Sequence, residues 1–249
     1  MKVIKFLRNK FFSHSDKYQI FASEINPNLK LGKTYSQHGH EYIITLLLRN
    51  KKKGYFVEFG VIDGITNSNT YYLEERMGWN GIVAEPAKKW HKKLMNNRNV
   101  HIETDCVFSE SNLDLEFIET GKWKGGNTLM KHLNSDKKKR TVSSKYLVKT
   151  ISLNDLLDKF NAPKHIEFIS IDTEGSELEI IKNFEFSKYS FSIICVEHNG
   201  ITEKRESLQK IFEENNYWKL PLPDTLTNID DWYVNEDIFN YYRLLISNN

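Results

Sequence analysis

Apolar positions in this chain come in two alternating patterns. Short apolar runs rich in β-branched and aromatic residues occur at Tyr55–Phe59, Gly81–Ala84, His165–Ile171 and Phe191–Val196. Such runs suit strands of a parallel sheet covered on both faces. Between them, apolar residues recur at helical spacing. Tyr71, Tyr72, Leu73 and Met77 share one face and Gly78 supplies a stop. Ala87–Asn97 turns Trp90 and Leu94 inward, and Thr202–Glu214 does the same with Leu208, Ile211 and Phe212. Leu153–Phe160 follows an N-capping Ser152, and Glu177–Ile181 is a shorter helix. Tyr42–Leu48 precedes the first strand and ends in the basic run Arg49–Lys53, which complements a helix C-terminus. Val100–Thr104 is a third strand, and the alternation in Leu113–Ile118 predicts a half-exposed one. Tyr217–Leu220 and Asp231–Val234 read as an antiparallel hairpin before a last helix, Glu236–Ile246. This order predicts an α/β fold: a doubly wound, seven-stranded, mostly parallel sheet with a terminal antiparallel hairpin. Residues 1–34 form an N-terminal extension, and one domain spans residues 35–249.

Composition narrows the class. At 249 residues, 39% apolar and 27% charged, the chain has enough core for one large α/β domain. A net charge of +2 from scattered basic residues gives no reason to expect a nucleic-acid partner. The two cysteines, Cys106 and Cys195, have neither metal-ligand nor disulfide-framework spacing, as expected of a cytoplasmic protein. No apolar run is long enough to span a membrane. Met1–Phe12 has charges woven through its apolar residues and reads as a docking helix rather than a signal peptide.

Chemistry concentrates after the first strand. There Glu58, Gly60, Asp63 and Gly64 lead into Asn67, Ser68, Asn69 and Thr70, all N-capping residue types. A strand, a glycine turn and a helix make the first crossover of a doubly wound sheet, where ligands sit beyond the strand's carboxyl end. Only two glycines of the dinucleotide fingerprint are present, and Glu58 and Asp63 would repel a pyrophosphate. The same carboxylates would attract the sulfonium and ammonium groups of S-adenosylmethionine. Its carboxylate would meet N–H groups or hydroxyls near Ser68 and Thr70. Glu85, at the end of the second strand, stands where Rossmann-like folds grip a ribose diol.

Several motifs in sequence order carry a resemblance. Glu58–Gly64, Ser68–Glu74, Gly78–Gly81, Glu85–Pro86, Thr150–Leu157 and Ile171–Glu177 resemble those of the FkbM-type S-adenosylmethionine-dependent methyltransferases. The similarity covers roughly residues 35–200. It implies a Rossmann-like class I methyltransferase fold and O-methylation, often of sugars in polysaccharides and natural products. It also implies that Asp105 accepts the adenine amino group while the Cys106 backbone N–H meets a ring nitrogen. A lid-like segment is implied around Tyr35–Glu41, and His38 and His40 within it lack the partners of a metal site. The expected acceptor is a nucleotide-activated sugar, such as a heptose or deoxysugar, for capsule or another surface polysaccharide.

A second concentration of chemical residues, Asp172, Glu174, Glu177, Glu197 and His198, follows the fourth and fifth strands, and Asp172, Glu197 and His198 would meet at one rim. His198 is suited to accept the acceptor's proton, oriented by a carboxylate, with Asp172 shared between the cofactor and the reaction. Alternatively, Asp172, Glu197 and His198 would hold a Mg²⁺ or Mn²⁺ ion; the metal-free base is preferred. Lys122, Trp123 and Lys124 form a cationic, aromatic loop suited to a sugar and its phosphates, with Glu174 on the same side. Lys137–Arg140 reads as a solvated basic run. Two other functions are open: a nucleotide-sugar oxidoreductase using NAD, and a non-catalytic module that binds S-adenosylmethionine. A homodimer is expected by analogy with such enzymes.

Overall fold

The computed structural model describes residues 17–121, 126–135, 139–222, 224–227 and 229–247. Met1–Phe12, the loop residues Lys122, Trp123 and Lys124, and Lys137 and Lys138 lie outside them. In chain order, α1 (Lys17–Ile25) and α2 (His40–Leu47) precede β1 (Tyr55–Phe59), α3 (Tyr71–Met77), β2 (Asn80–Ala84), α4 (Lys88–Asn97) and β3 (His101–Glu103). Next come β4 (Cys106–Phe108), β5 (Asp114–Thr120), β6 (Thr128–Leu129) and β7 (Val142–Ser152). The chain continues with α5 (Leu153–Lys159), β8 (His165–Ile171), α6 (Glu177–Lys182), β9 (Ser190–Glu197) and α7 (Thr202–Glu214). It closes with β10 (Trp218–Lys219), α8 (Asp224–Thr227), β11 (Asp230–Val234) and α9 (Glu236–Ser247).

The main sheet has seven strands in the order β10-β11-β9-β8-β1-β2-β3. It is mixed: β1–β2, β1–β8, β2–β3 and β8–β9 pair in parallel, whereas β11 is antiparallel to both β9 and β10. Strand side chains alternate between two apolar layers. Phe56, Val83, Phe168, Ile193 and Trp232 face α1, α2 and α3. Their neighbours Val57, Ile82, Ile169, Ile194 and Tyr233 face α5, α6 and α7. Helices therefore cover both faces, which is why the strand sequences carry so few polar residues. The described part of the extension shares this core: Tyr18, Phe21 and Ala22 of α1 are buried, and the Trp232 indole donates to the Tyr18 hydroxyl at 3.0 Å.

A second sheet, β4-β7-β5-β6, is absent from the sequence expectation. The half-exposed strand foreseen at Leu113–Ile118 belongs to it as β5, paired antiparallel with β7 over Asp114–Thr120. β7 alternates an inner row, Ser144, Tyr146, Val148 and Thr150, with an exposed row, Ser143, Lys145, Leu147 and Lys149. Its polar outer residues disguise the strand as a loop. The sheet clusters Phe117, Leu129 and Val148 with Cys106 and Phe108 of its own β4 and with Ala87 and Trp90 from outside it. It stands beside the carboxyl end of the main sheet and supplies one wall of the cavity described below.

Candidate active site

The strand order turns back between β1 and β8: the chain moves outward from β1 to β2 and β3, then returns to the other side of β1 for β8 and β9. A crevice opens at such a switch point, outside the carboxyl ends of the strands. A cavity of about 410 Å³ lies there. Phe59 and Gly60 after β1, Ala84–Pro86 after β2, Ser170–Glu174 at the end of β8, and Cys195 and Glu197 of β9 line it. The second sheet adds Cys106, Val107, Phe117 and Leu129. Gln37, His38 and His40 close it from the N-terminal side, and Ile229 and Asp230 close it at the start of β11.

The loop after β1 is built tightly. Gly60 has φ 76°, and a Cβ there would overlap the Asp172 carbonyl oxygen, so two strand ends approach through a missing side chain. Ile62 adopts φ 55°, a left-handed conformation that is strained for a β-branched residue. Its N–H donates to Glu85 Oε2 at 2.8 Å, and the Ala87 N–H donates to Glu85 Oε1 at 2.9 Å. Glu85 thus ties the first loop to the end of β2 while facing the cavity. Burial pushes its pKa from 4.5 up to about 7.

That shift predicts a pH signature. The folded chain keeps a proton on Glu85 that the unfolded chain releases between pH 4.5 and 7. This group's contribution to stability is therefore largest at low pH and declines as pH rises through that window, by about 3 kcal/mol at most. Glu85→Gln should flatten the slope of unfolding free energy between those pH values. Urea titrations of both proteins at several pH values test this, and parallel slopes would rule it out.

Five other residues expected to touch the cofactor are placed in or near the loop, and none of them lines the cavity. Glu58 is buried and accepts from Ser68 Oγ at 2.8 Å, from the Asn69 N–H at 2.6 Å and from Thr70 Oγ1. Ser68 Oγ caps the next turn, accepting from the Thr70 and Tyr71 N–H groups. Asp63 folds back to accept from the Ile65 and Thr66 N–H groups and from Thr66 Oγ1. At Gly64 a Cβ would come within 2.8 Å of Leu94 and Arg98 side-chain atoms. The carboxylates expected to attract a cation directly, Glu58 and Asp63, instead hold the loop in shape. Arg98 lies behind them with its side chain fully buried; it donates to Glu74, Gly64 O, Ser68 Oγ and Thr70 Oγ1 and sits 3.7 Å from Glu58. No local motif in the sequence marks Arg98.

At the other rim, Asp172 and Glu197 do meet in the cavity, as the sequence suggested, but His198 does not join them. Its Nδ1 accepts from the Gly200 N–H at 3.1 Å, and its Nε2 faces Asp231 at 4.0 Å. Burial lowers its pKa to about 4. His198 follows the end of β9 and points to the side away from the cavity, so neither the base nor the metal role expected of it fits. The carboxylate that gathers with Asp172 and Glu197 is Glu177, their oxygens all lying within 4.8 Å of one another. Glu177 already accepts from the Thr173 and Gly175 N–H groups and from the Lys204 ammonium. Burial is the largest influence and would raise its pKa, but Lys204 and backbone N–H groups together hold it below the usual glutamate value. An amine therefore already balances that group's charge.

Glu174 reaches the cavity from a left-handed residue, φ 58°. Its carboxylate accepts from Arg140 Nη2 at 2.7 Å, and Arg140 also donates to the Gly126 and Leu133 carbonyls. Arg140, read from sequence as part of a solvated run, instead clamps the second sheet to the cavity rim. Asp105 is half-buried and does not line the cavity, whereas the adjacent Cys106 does; burial raises its thiol to about 12. Lys122, Trp123 and Lys124 lie outside the described residues.

The sequence from residue 55 to 225 matches the family model described as the methyltransferase FkbM domain. No curated protein matches this sequence. Among solved structures, the chain is similar to a methyltransferase FkbM from Methylobacillus flagellatus KT, at 12% identity and TM-score 0.46. That match covers 94% of this chain and 58% of the other. It is also similar to an O-methyltransferase from Bacillus cereus solved with S-adenosylhomocysteine, at 12% identity and TM-score 0.40, covering 94% and 97% of the two chains. A precorrin-6y C5,15-methyltransferase from Geobacter metallireducens GS-15 matches at 11% identity and TM-score 0.43, covering 79% and 80%. The family match spans well over half the sequence and includes the first crossover, the Glu85 turn and the Asp172–Glu177 turn, so this chain belongs to the FkbM methyltransferase family.

Proposed function

We propose that this protein transfers a methyl group from S-adenosylmethionine to a hydroxyl of a carbohydrate. The observation carrying this reading is the cavity at the β1–β8 switch point, with Gly60 opening its floor and Glu85 on its wall. Its volume falls in the range of small-molecule and cofactor sites. Glu85 would take the ribose diol. Its two oxygens each keep a lone pair beyond the bonds to Ile62 and Ala87. Cys106 and Val107 would flank the adenine, and Asp172 would face the donor's positive end. The bound donor supplies an electrophilic methyl on a sulfonium.

Asp172, Glu197 and Asp230 make the remaining half rich in acceptors for sugar hydroxyls. Among the described residues lining the cavity there is no lysine or arginine. On the sequence pattern, a nucleotide-activated acceptor would meet Lys122 and Lys124 with its diphosphate. On that reading Lys122→Ala with Lys124→Ala should raise the acceptor KM about tenfold, since a hydrogen bond to a charged group is worth about 1.5–3 kcal/mol. Donor affinity should stay constant. An unchanged KM would remove the loop from phosphate recognition.

The decisive test incubates the protein with methyl-labelled donor and candidate sugars and nucleotide sugars, with and without chelator, and follows products by mass spectrometry. Labelled methyl ether on a carbohydrate is the expected result. Donor binding by calorimetry without transfer to any acceptor would favour the non-catalytic module, and binding of NAD in its place would favour the oxidoreductase.

A further inference from the structure

With His198 turned away, the cavity still needs a group to receive the acceptor's proton. His40, the first residue of α2, lines the cavity and is buried. Neither of its ring nitrogens makes a well-formed hydrogen bond among the described residues, although the Asn69 side chain, which also lines the cavity, is its polar neighbour. A buried polar group left so calls for an explanation. The ring is nonetheless held in place. Tyr18 meets it edge-on at 5.1 Å and Trp232 at 5.2 Å, and Trp232 is itself fixed by its bond to the Tyr18 hydroxyl. Asp230 Oδ2 lies 3.7 Å from His40 Nε2, and Asp230 lines the same cavity. An imidazole clamped between aromatic rings, with one nitrogen toward a carboxylate, has the arrangement of an oriented base.

We propose that His40 is the proton acceptor of the methyl transfer, oriented at Nε2 by Asp230 and receiving the hydroxyl proton at Nδ1; this rests on the methyl-transfer reading above. In the balanced step a C–O bond forms at the acceptor oxygen and a C–S bond breaks, its electron pair neutralising the sulfonium. The hydroxyl proton ends on His40 Nδ1, and Asp230 stabilises the imidazolium. Burial, with His38 nearby, lowers the His40 pKa to about 3, so the ring is neutral and ready to accept at physiological pH. A protonated ether is a far stronger acid than an imidazolium, so a weak base suffices once the new bond is forming.

Two measurements test this. In protein labelled with ¹⁵N-histidine and bound to S-adenosylmethionine, His40 should show the tautomer protonated at Nε2 and bare at Nδ1. The opposite tautomer, or a doubly protonated ring at neutral pH, would overturn the proposal whatever the acceptor. His40→Gln should lower turnover about 100-fold, the lower end of general-base contributions, and leave the donor Kd within about twofold. Asp230→Asn should lower turnover by a smaller factor and shift the His40 tautomer population. Unchanged turnover in His40→Gln, or donor binding lost in parallel with turnover, would refute the assignment. A wild-type protein that does not bind the donor at all would refute the function proposed above instead.

Discussion

Gly60→Ala should unfold far more readily than wild type and bind donor at least tenfold more weakly. Two effects combine. The residue sits at φ 76°, where a Cβ costs about 1–2 kcal/mol, and that Cβ would overlap a backbone oxygen of Asp172 that has no side-chain freedom to move. Parting the ends of β1 and β8 would break the floor of the cavity, so a total loss of roughly 3 kcal/mol is expected once overpacking is added. Gly78→Ala is the control. It has the same sign of φ, 67°, but open space around the Cβ, so only the conformational cost of about 1–2 kcal/mol should appear. Urea denaturation gives both values. Equal losses at the two positions would mean the contact with Asp172 is unimportant.

Arg98→Met should be the most damaging change of charge, costing about 3–5 kcal/mol, the range for breaking a buried ion pair. Its guanidinium bridges Glu74, the Gly64 carbonyl and the hydroxyls of Ser68 and Thr70, and removing it takes away the cation that Glu58 faces among the described residues in a buried setting. Arg98→Lys should recover little, because a single ammonium cannot reproduce the planar fork. A double-mutant cycle with Thr70→Ala isolates the link. A coupling energy above about 0.5 kcal/mol is expected, whereas simple additivity would show that Arg98 acts elsewhere.

The sequence announced the main sheet because burial on both faces leaves a strong apolar signature. Tyr55–Phe59 and Phe191–Val196 read as strands for the same reason that they pack on helices from both sides. Glu85 was legible as well, since its place after β2 follows from chain order alone. The second sheet was not, because one face of β7 meets solvent and its lysines and serines resemble a loop. The site's division of labour was hidden for a different reason. Glu58, Asp63 and Glu85 look alike as carboxylates near glycines, and only folding decides that two of them hold a loop while the third faces the cavity. His198 was misplaced because a strand reverses side-chain direction at every residue, so its neighbour Glu197 reaches the cavity and it does not. His40, Asp230 and Arg140 are brought to the cavity or its rim by contacts between distant segments, which no local motif records.

One consequence follows from the single strand that runs against the rest. The parallel strands β1, β2, β8 and β9 each deliver their last residue to the cavity, but β11 begins there, so Asp230 and Ile229 arrive from the opposite chain direction. The Ile229 carbonyl also accepts from the His198 N–H at 2.8 Å, which pins that entry point to the end of β9. On the methyl-transfer reading proposed above, acceptor selectivity would diverge among relatives by lengthening or shortening the connection into β11, leaving the half built from β1 and β2, proposed to hold the donor, untouched. Transplanting that connection between homologues would be the direct route to a new acceptor.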